Sequence, residues 1–218
     1  NKEYILLGGL FWRLTDKKVG LWYQHKKISL WLKLAEVIST MIFTASGESF
    51  KLKSHKIKYV GHGINLNQFL ETANRPDRDK FKIIYLGRTS EIKNQKLLLE
   101  AINILVRQKG ESKITVELIG GPVTNDDRSY LAELKSLVVK YNLEKNINFV
   151  GSVPHSQILD YLKSADLSIN LCPTGGLDKA VLESLAAGLP VIALNKIFTG
   201  LFKGYEKYFM LENAESPE

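Results

Sequence analysis

The residues best suited to chemistry in this chain are two cations and a carboxylate set among glycines. Gly87-Arg88-Thr89-Ser90-Glu91-Ile92-Lys93-Asn94 follows an apolar run and brings a guanidinium and an ammonium into one loop. Arg offers a planar fork of donors and Lys a compact charge, a pairing that suits a diphosphate. Two solvated loop charges fit the same pattern. A second apolar run ends in Gly120-Gly121-Pro122, where a ligand can approach bare backbone. A plain turn explains that pair equally well. The richest stretch is residues 173–190, in which Pro173-Thr174-Gly175-Gly176-Leu177-Asp178 opens a helical pattern that closes at Gly188. A glycine loop opening a helix presents free N–H groups at the positive end of the helix dipole, which suits an anion. Glu183 falls off the expected apolar stripe of Val181, Leu182, Leu185 and Ala186, where a carboxylate can accept from a ribose diol. An ordinary exposed helix glutamate is the alternative. His25 ends a strand-like run ahead of Lys26-Lys27, as a crevice residue or a surface one. His55, His62 and His155 show no metal-ligand spacing, and no metal site is expected.

The elements that must position these groups are regular from Phe81 onward. Strand-like runs at 81–86, 114–119, 147–150, 167–171 and 191–194 alternate with helical patterns at 94–107, 129–141, 155–164 and 178–187. Such alternation predicts an α/β fold with a doubly wound parallel sheet covered on both faces. Upstream, strand patterns at 18–24, 41–45 and 57–60 flank a helix at 29–39, and read as the last part of a second Rossmann-like unit. Residues 74–80 are polar, contain Pro76 and lack periodicity, so they are the expected linker. This divides the chain into 1–73, the linker, and a nucleotide-binding domain over 81–218. With no initiator Met and an end soon after the fifth strand, segments are expected to be missing at both ends.

Bulk properties narrow the classes. The 218 residues are 44% hydrophobic, ample for a packed core, and carry a net charge of +7. Basic residues concentrate between Lys17 and Lys58, without the aromatic interleaving of a nucleic-acid motif, so nucleic acid is not an expected partner. An anionic membrane face or a phosphorylated small molecule fits the charge, as does simple solubility. No apolar run reaches the ~18–20 residues that span a bilayer; the run at 4–12 is short and ends at Arg13. The single thiol, Cys172, allows no internal disulfide and fits a reducing, cytoplasmic setting.

Taken in order, "YLGR…KN", "LIGGP", "NINFVGSVPHSQILDYLKSADLSINLCP" and "AVLESLAAGLPVIA" resemble the C-terminal domain of family four retaining glycosyltransferases, of the GT-B fold. The resemblance runs from Ile83 to about Ala193. Upstream, the strand ending in His25 and the stretch His62-Gly63-Ile64-Asn65…Phe69 resemble the close of that family's N-terminal domain, whose front portion has no counterpart here.

The resemblance implies transfer of a sugar from a UDP-, GDP- or ADP-linked donor to a glycan or lipid-linked acceptor, with retention and no cofactor. Arg88 and Lys93 match the pair that neutralises the donor diphosphate. Glu183 matches the second of two glutamates separated by seven residues, which holds the ribose, and His25 the histidine beside the transferred sugar. Gly87, Gly121, Val150, Thr174, Gly175, Gly176, Leu177 and Asp178 match donor-lining positions. The family also implies peripheral docking at the inner face of a membrane. One position departs: the first glutamate of the pair falls at Gly175, which puts the donor sugar in doubt. Thr174, Asp178 or the backbone N–H groups of 176–178 are candidate substitutes. A non-catalytic nucleotide-sugar-binding module is the alternative reading.

Overall fold

The computed structural model describes residues 2–25, 27–47, 50–69 and 79–211. They form two compact units: 1–63 with 175–178, and 64–174 with 179–218. Residues 74–78 of the expected linker lie outside the described residues.

The first unit runs α1 (Lys2–Leu14), β1 (Gly20–Trp22), α2 (Leu30–Ile38), β2 (Met41–Thr44) and β3 (Ile57–Tyr59). Its strands form a parallel sheet in the order β1-β2-β3. Apolar side chains from both layers, among them Ile5, Leu21, Leu32, Ala35 and Ile42, make its core. Ser29 sets the start of α2, its hydroxyl accepting from the Leu32 N–H at 3.2 Å. At Gly9 of α1, a Cβ would stand 2.7 Å from Ile38 Cγ2, so the close helix–helix approach requires glycine. The strand expected at 18–24 pairs with β2 only over Gly20–Trp22, opposite Met41 to Phe43. The apolar run at 4–12 lies within α1.

The second unit carries a 3-10 turn (Leu66–Gln68), then β4 (Phe81–Leu86), α3 (Gln95–Asn103), β5 (Ile114–Ile119), α4 (Asn125–Lys140), β6 (Ile147–Gly151), α5 (His155–Lys163), β7 (Leu167–Asn170), α6 (Lys179–Ala186), β8 (Val191–Ala193) and α7 (Glu206–Phe209). Its five strands are parallel, in the order β6-β5-β4-β7-β8. Strand alternation divides the core. Ile83 and Tyr85 face one layer with α3 and α4, through Leu98, Ile102, Leu134 and Val138. Ile84 and Leu86 face the other with Leu162, Ala165, Ala187 and Leu189. Burial on both faces explains why these strands read as continuous apolar runs. The winding goes outward from β4 through β5 to β6, then returns to place β7 on the other side of β4. That reversal is the topological switch point, beside which ligands bind at the carboxyl edge of such sheets.

One helix packs differently from its sequence pattern. On α6 the buried residues are Val181, Glu183 and Ser184, while Leu182, Leu185 and Ala186 are only half-buried. Ser184 can lie on the sheet because its hydroxyl is satisfied there, 3.0 Å from Ser168 Oγ and 2.8 Å from the Ala180 carbonyl.

Candidate functional site

The loops after β4 and β5 are laced together. The Gly87 N–H donates to the Ile119 carbonyl at 2.9 Å, and the Thr89 N–H to the Gly121 carbonyl at 3.1 Å. The Thr89 hydroxyl donates to the Gly120 carbonyl at 2.9 Å, and the buried Gln95 amide to the Arg88 carbonyl at 3.0 Å. Gly120 sits at φ +130°, and a Cβ there would meet the Gly87 carbonyl oxygen at 2.1 Å. Glycine is therefore needed at 120 for the two loops to touch. Tyr85 donates its hydroxyl to the Lys93 carbonyl. The backbones carrying Arg88 and Lys93 are thus fixed from both sides, a precondition for placing two cations reproducibly. The Lys93 stem runs beside Gly87, its Cδ and Cε each 3.8 Å from where a Cβ on Gly87 would lie.

A cavity of about 340 Å³ opens at this carboxyl edge, with Gly87, Arg88, Gly121, Ser152, His155 and Glu183 in its wall. The Arg88 side chain is 46% exposed, and its Nε lies 3.8 Å from Asp127 Oδ2. Asp127 also caps α4: its carboxylate accepts from the Val123 and Thr124 N–H groups at 3.1 and 3.0 Å, and the Thr124 hydroxyl accepts from its own N–H. The Thr124 N–H is the main cause that holds the Asp127 carboxyl below its ordinary range, against an opposing effect of burial. Asp127 therefore stays anionic and points Arg88 without burying its charge. At this distance and exposure, the pair orients more than it binds.

Glu183 is 8% exposed, so the exposed-glutamate alternative is excluded. Its Oε1 lies 3.0 Å from His155 Nε2, on the first residue of α5. A second cavity, about 290 Å³, shares His155, Ile158 and Glu183 with the first and adds Gln68 and Phe69.

Of the residues singled out from sequence, the structure brings Gly87, Arg88, Gly121 and Glu183 into one wall, with Lys93 alongside. Val150 does not join them. Because β6 continues to Gly151, its half-buried side chain packs in the apolar layer, and Ser152 and Val153 line the cavity instead. Thr174 is exposed, its carbonyl accepting from the Cys172 thiol at 3.1 Å. Gly176, Leu177 and Asp178 are half-buried and belong with Gly175 to the first unit's compact body; α6 starts after them, at Lys179. Gly175 holds φ +121°, a conformation that a side chain disfavours. His25, also in the first unit, is exposed and meets the Tyr23 ring edge-on at 5.3 Å between centroids.

Sequence reasoning passed over His155, Asp127 and Gln95. The Thr124…Asp127 spacing was a readable capping-box signal. His155 and Gln95 act through tertiary neighbours, which no local pattern announces. Among the described residues, no cluster of three or more His, Cys, Asp or Glu can hold a metal ion. No described helix is long and apolar enough to cross a membrane.

Comparison with known proteins gives the family. The glycosyl transferases group 1 family model matches residues 67–201. The capsular polysaccharide biosynthesis glycosyltransferase CapH of Staphylococcus aureus is 30% identical over 171 residues, covering 74% of this chain and 44% of that protein. Mannosylfructose-phosphate synthase of Agrobacterium fabrum is 24% identical over 164 residues, covering 72% of this chain and 36% of its own. The chain thus spans less than half the length of these relatives. Among solved structures, Anabaena HepE in complex with UDP and glucose aligns with a TM-score of 0.79 at 16% identity, over 100% of this chain and 64% of HepE. That likeness shows a shared fold, the GT-B type expected from sequence. Since the family model takes in most of the second unit, both laced loops and the whole cavity wall, the chain belongs to the group 1 glycosyltransferases.

Proposed function

We propose that this chain carries the donor site of a retaining hexosyltransferase that moves a sugar from a nucleoside-diphosphate sugar to a glycan or lipid-linked acceptor. The observation that carries the reading is the shared wall of Arg88 and Glu183 at the carboxyl edge of the parallel sheet. When the bond from the anomeric carbon to the diphosphate oxygen breaks, negative charge grows on the leaving group. Arg88 and Lys93 stabilise that charge, so a metal ion is not needed for it. Glu183 accepts hydrogen bonds from the ribose hydroxyls. The backbone at Gly121 and the residues Gly87, Thr174, Gly175, Gly176, Leu177 and Asp178 line the donor. His25 orients the transferred sugar, a role that rests on the resemblance alone. That HepE is described with UDP and glucose favours testing a UDP-linked donor first, beside GDP- and ADP-linked ones.

The same reading places the protein in the cytoplasm, docked peripherally on an anionic membrane face. Exposed Leu7 and Phe11 on α1 and exposed Lys17 and Lys18 after it support this. A second reading, a module that binds donor without transferring sugar, is favoured by Gly175, where the family's first glutamate is replaced. A thermal-shift screen of nucleotide sugars tests the donor site: one donor should raise the melting temperature in proportion to the logarithm of its concentration. Transfer or donor hydrolysis by the full-length protein separates enzyme from module, and no turnover with a donor that binds would favour the module.

A further inference from the structure

The two cavities at the carboxyl edge share His155, Ile158 and Glu183. Glu183 is almost fully buried, its side chain 11% exposed, whereas the His155 side chain is 77% exposed. An imidazole that exposed gains little from apolar burial. Its hydrogen bond is to the buried carboxylate. An ionised carboxylate only accepts, so in that state the contact is an Nε2–H of His155 donating to Oε1. Among the described residues, the Glu183 carboxylate has no other hydrogen-bond or ion-pair partner. Oε2 and the remaining lone pair of Oε1 are therefore left for a ligand in a cavity whose wall includes Glu183.

We propose that His155 is a positioning residue that locks the Glu183 carboxylate between the two cavities and so sets how strictly the site requires a ribose rather than a deoxyribose. The proposal rests on the nucleotide-site reading above. A glutamate has three side-chain torsions, and a carboxylate free to rotate can meet one sugar hydroxyl or two with little preference. Pinning Oε1 from the start of α5 removes that freedom and aims the other acceptor sites at a diol. Ile158, one turn further along α5, completes the wall on both sides and keeps water from replacing the lost hydroxyl.

The test measures affinities of UDP, GDP and ADP and of their 2′-deoxy counterparts by calorimetry, on the full chain. For the nucleotide that binds, the wild type should prefer the ribo form by about tenfold or more. His155→Ala should bring that ratio close to unity while leaving the melting temperature of the ligand-free protein nearly unchanged. His155→Gln, which keeps an amide donor, should restore most of the preference. A ratio unchanged in His155→Ala, with binding still sensitive to Arg88→Ala, overturns the positioning role and leaves the nucleotide site standing. If none of the three nucleotides binds the wild type, both readings fall together.

Discussion

At the residue scale, Arg88 and Lys93 were legible as a cation pair because both stand in a short loop after an apolar run. Glu183 was ambiguous, since helical periodicity alone cannot tell an exposed glutamate from one sunk in a cavity wall. Its neighbour Ser184 is buried too, bonded to Ser168 of the sheet, a tertiary hydrogen bond with no local signature. If the two cations hold a diphosphate, Arg88→Ala and Lys93→Ala should each weaken nucleoside-diphosphate binding by about 10–100-fold, the worth of one charge-assisted contact. Binding of the corresponding nucleoside should change far less, and calorimetry reads both. Gly175 is a different case. Introducing at this position the carboxylate that the resemblance implies, as Gly175→Glu, forces a side chain onto a backbone at φ +121°. The strain should cost about 1–3 kcal/mol and lower the melting temperature by several degrees. A variant with unchanged melting and tighter donor binding would contradict that reading of the loop.

At the scale of elements, the five strands of the second unit match their sequence patterns to within a residue or two at each end. Both of their faces are apolar, so the runs are continuous and bounded by polar turns. The first unit was harder to read. The run at 18–24 keeps apolar residues, Val19 and Tyr23, on either side of the three that pair, so the pattern alone did not mark the strand's ends. The start of α4 shows how an element serves the site. Thr124 and Asp127 form a reciprocal cap, and the same carboxylate faces Arg88. Thr124→Ala should cost about 1 kcal/mol of stability, measurable by urea unfolding. The pH dependence has a definite sign. The Asp127 carboxyl is held below its ordinary value of 3.8, so its contribution is full above that pH and is lost as pH falls through the depressed value. The stability gap between wild type and Asp127→Asn should therefore be constant at neutral pH and close in strong acid. A gap that widens on acidification would reverse the assignment.

At the scale of the whole molecule, the apolar content expected to form a core is only partly consumed by one. On α1, Leu7 and Phe11 are 86% and 66% exposed, and on α2, Leu30 and Trp31 are 76% and 63% exposed. From sequence, the run at 4–12 reads as too short to span a bilayer and 29–39 as a helix; periodicity alone does not show that these side chains stay exposed. Large apolar side chains left exposed favour association. The isolated chain should therefore elute larger than a monomer in size-exclusion chromatography at raised concentration, and Leu7→Lys combined with Trp31→Lys should shift it toward monomer. Elution as a monomer by both proteins at every concentration would show that these side chains do not drive association.

The proposed nucleoside-diphosphate site lies at the carboxyl edge of the sheet, with Arg88 and Glu183 in one wall. Calorimetric titration of UDP, GDP and ADP into the wild type, Arg88→Ala and Glu183→Ala tests it most directly. The account predicts that at least one nucleotide binds the wild type with micromolar affinity and that each substitution weakens it about tenfold or more. Absence of binding by all three nucleotides, or binding that neither substitution changes, would contradict it.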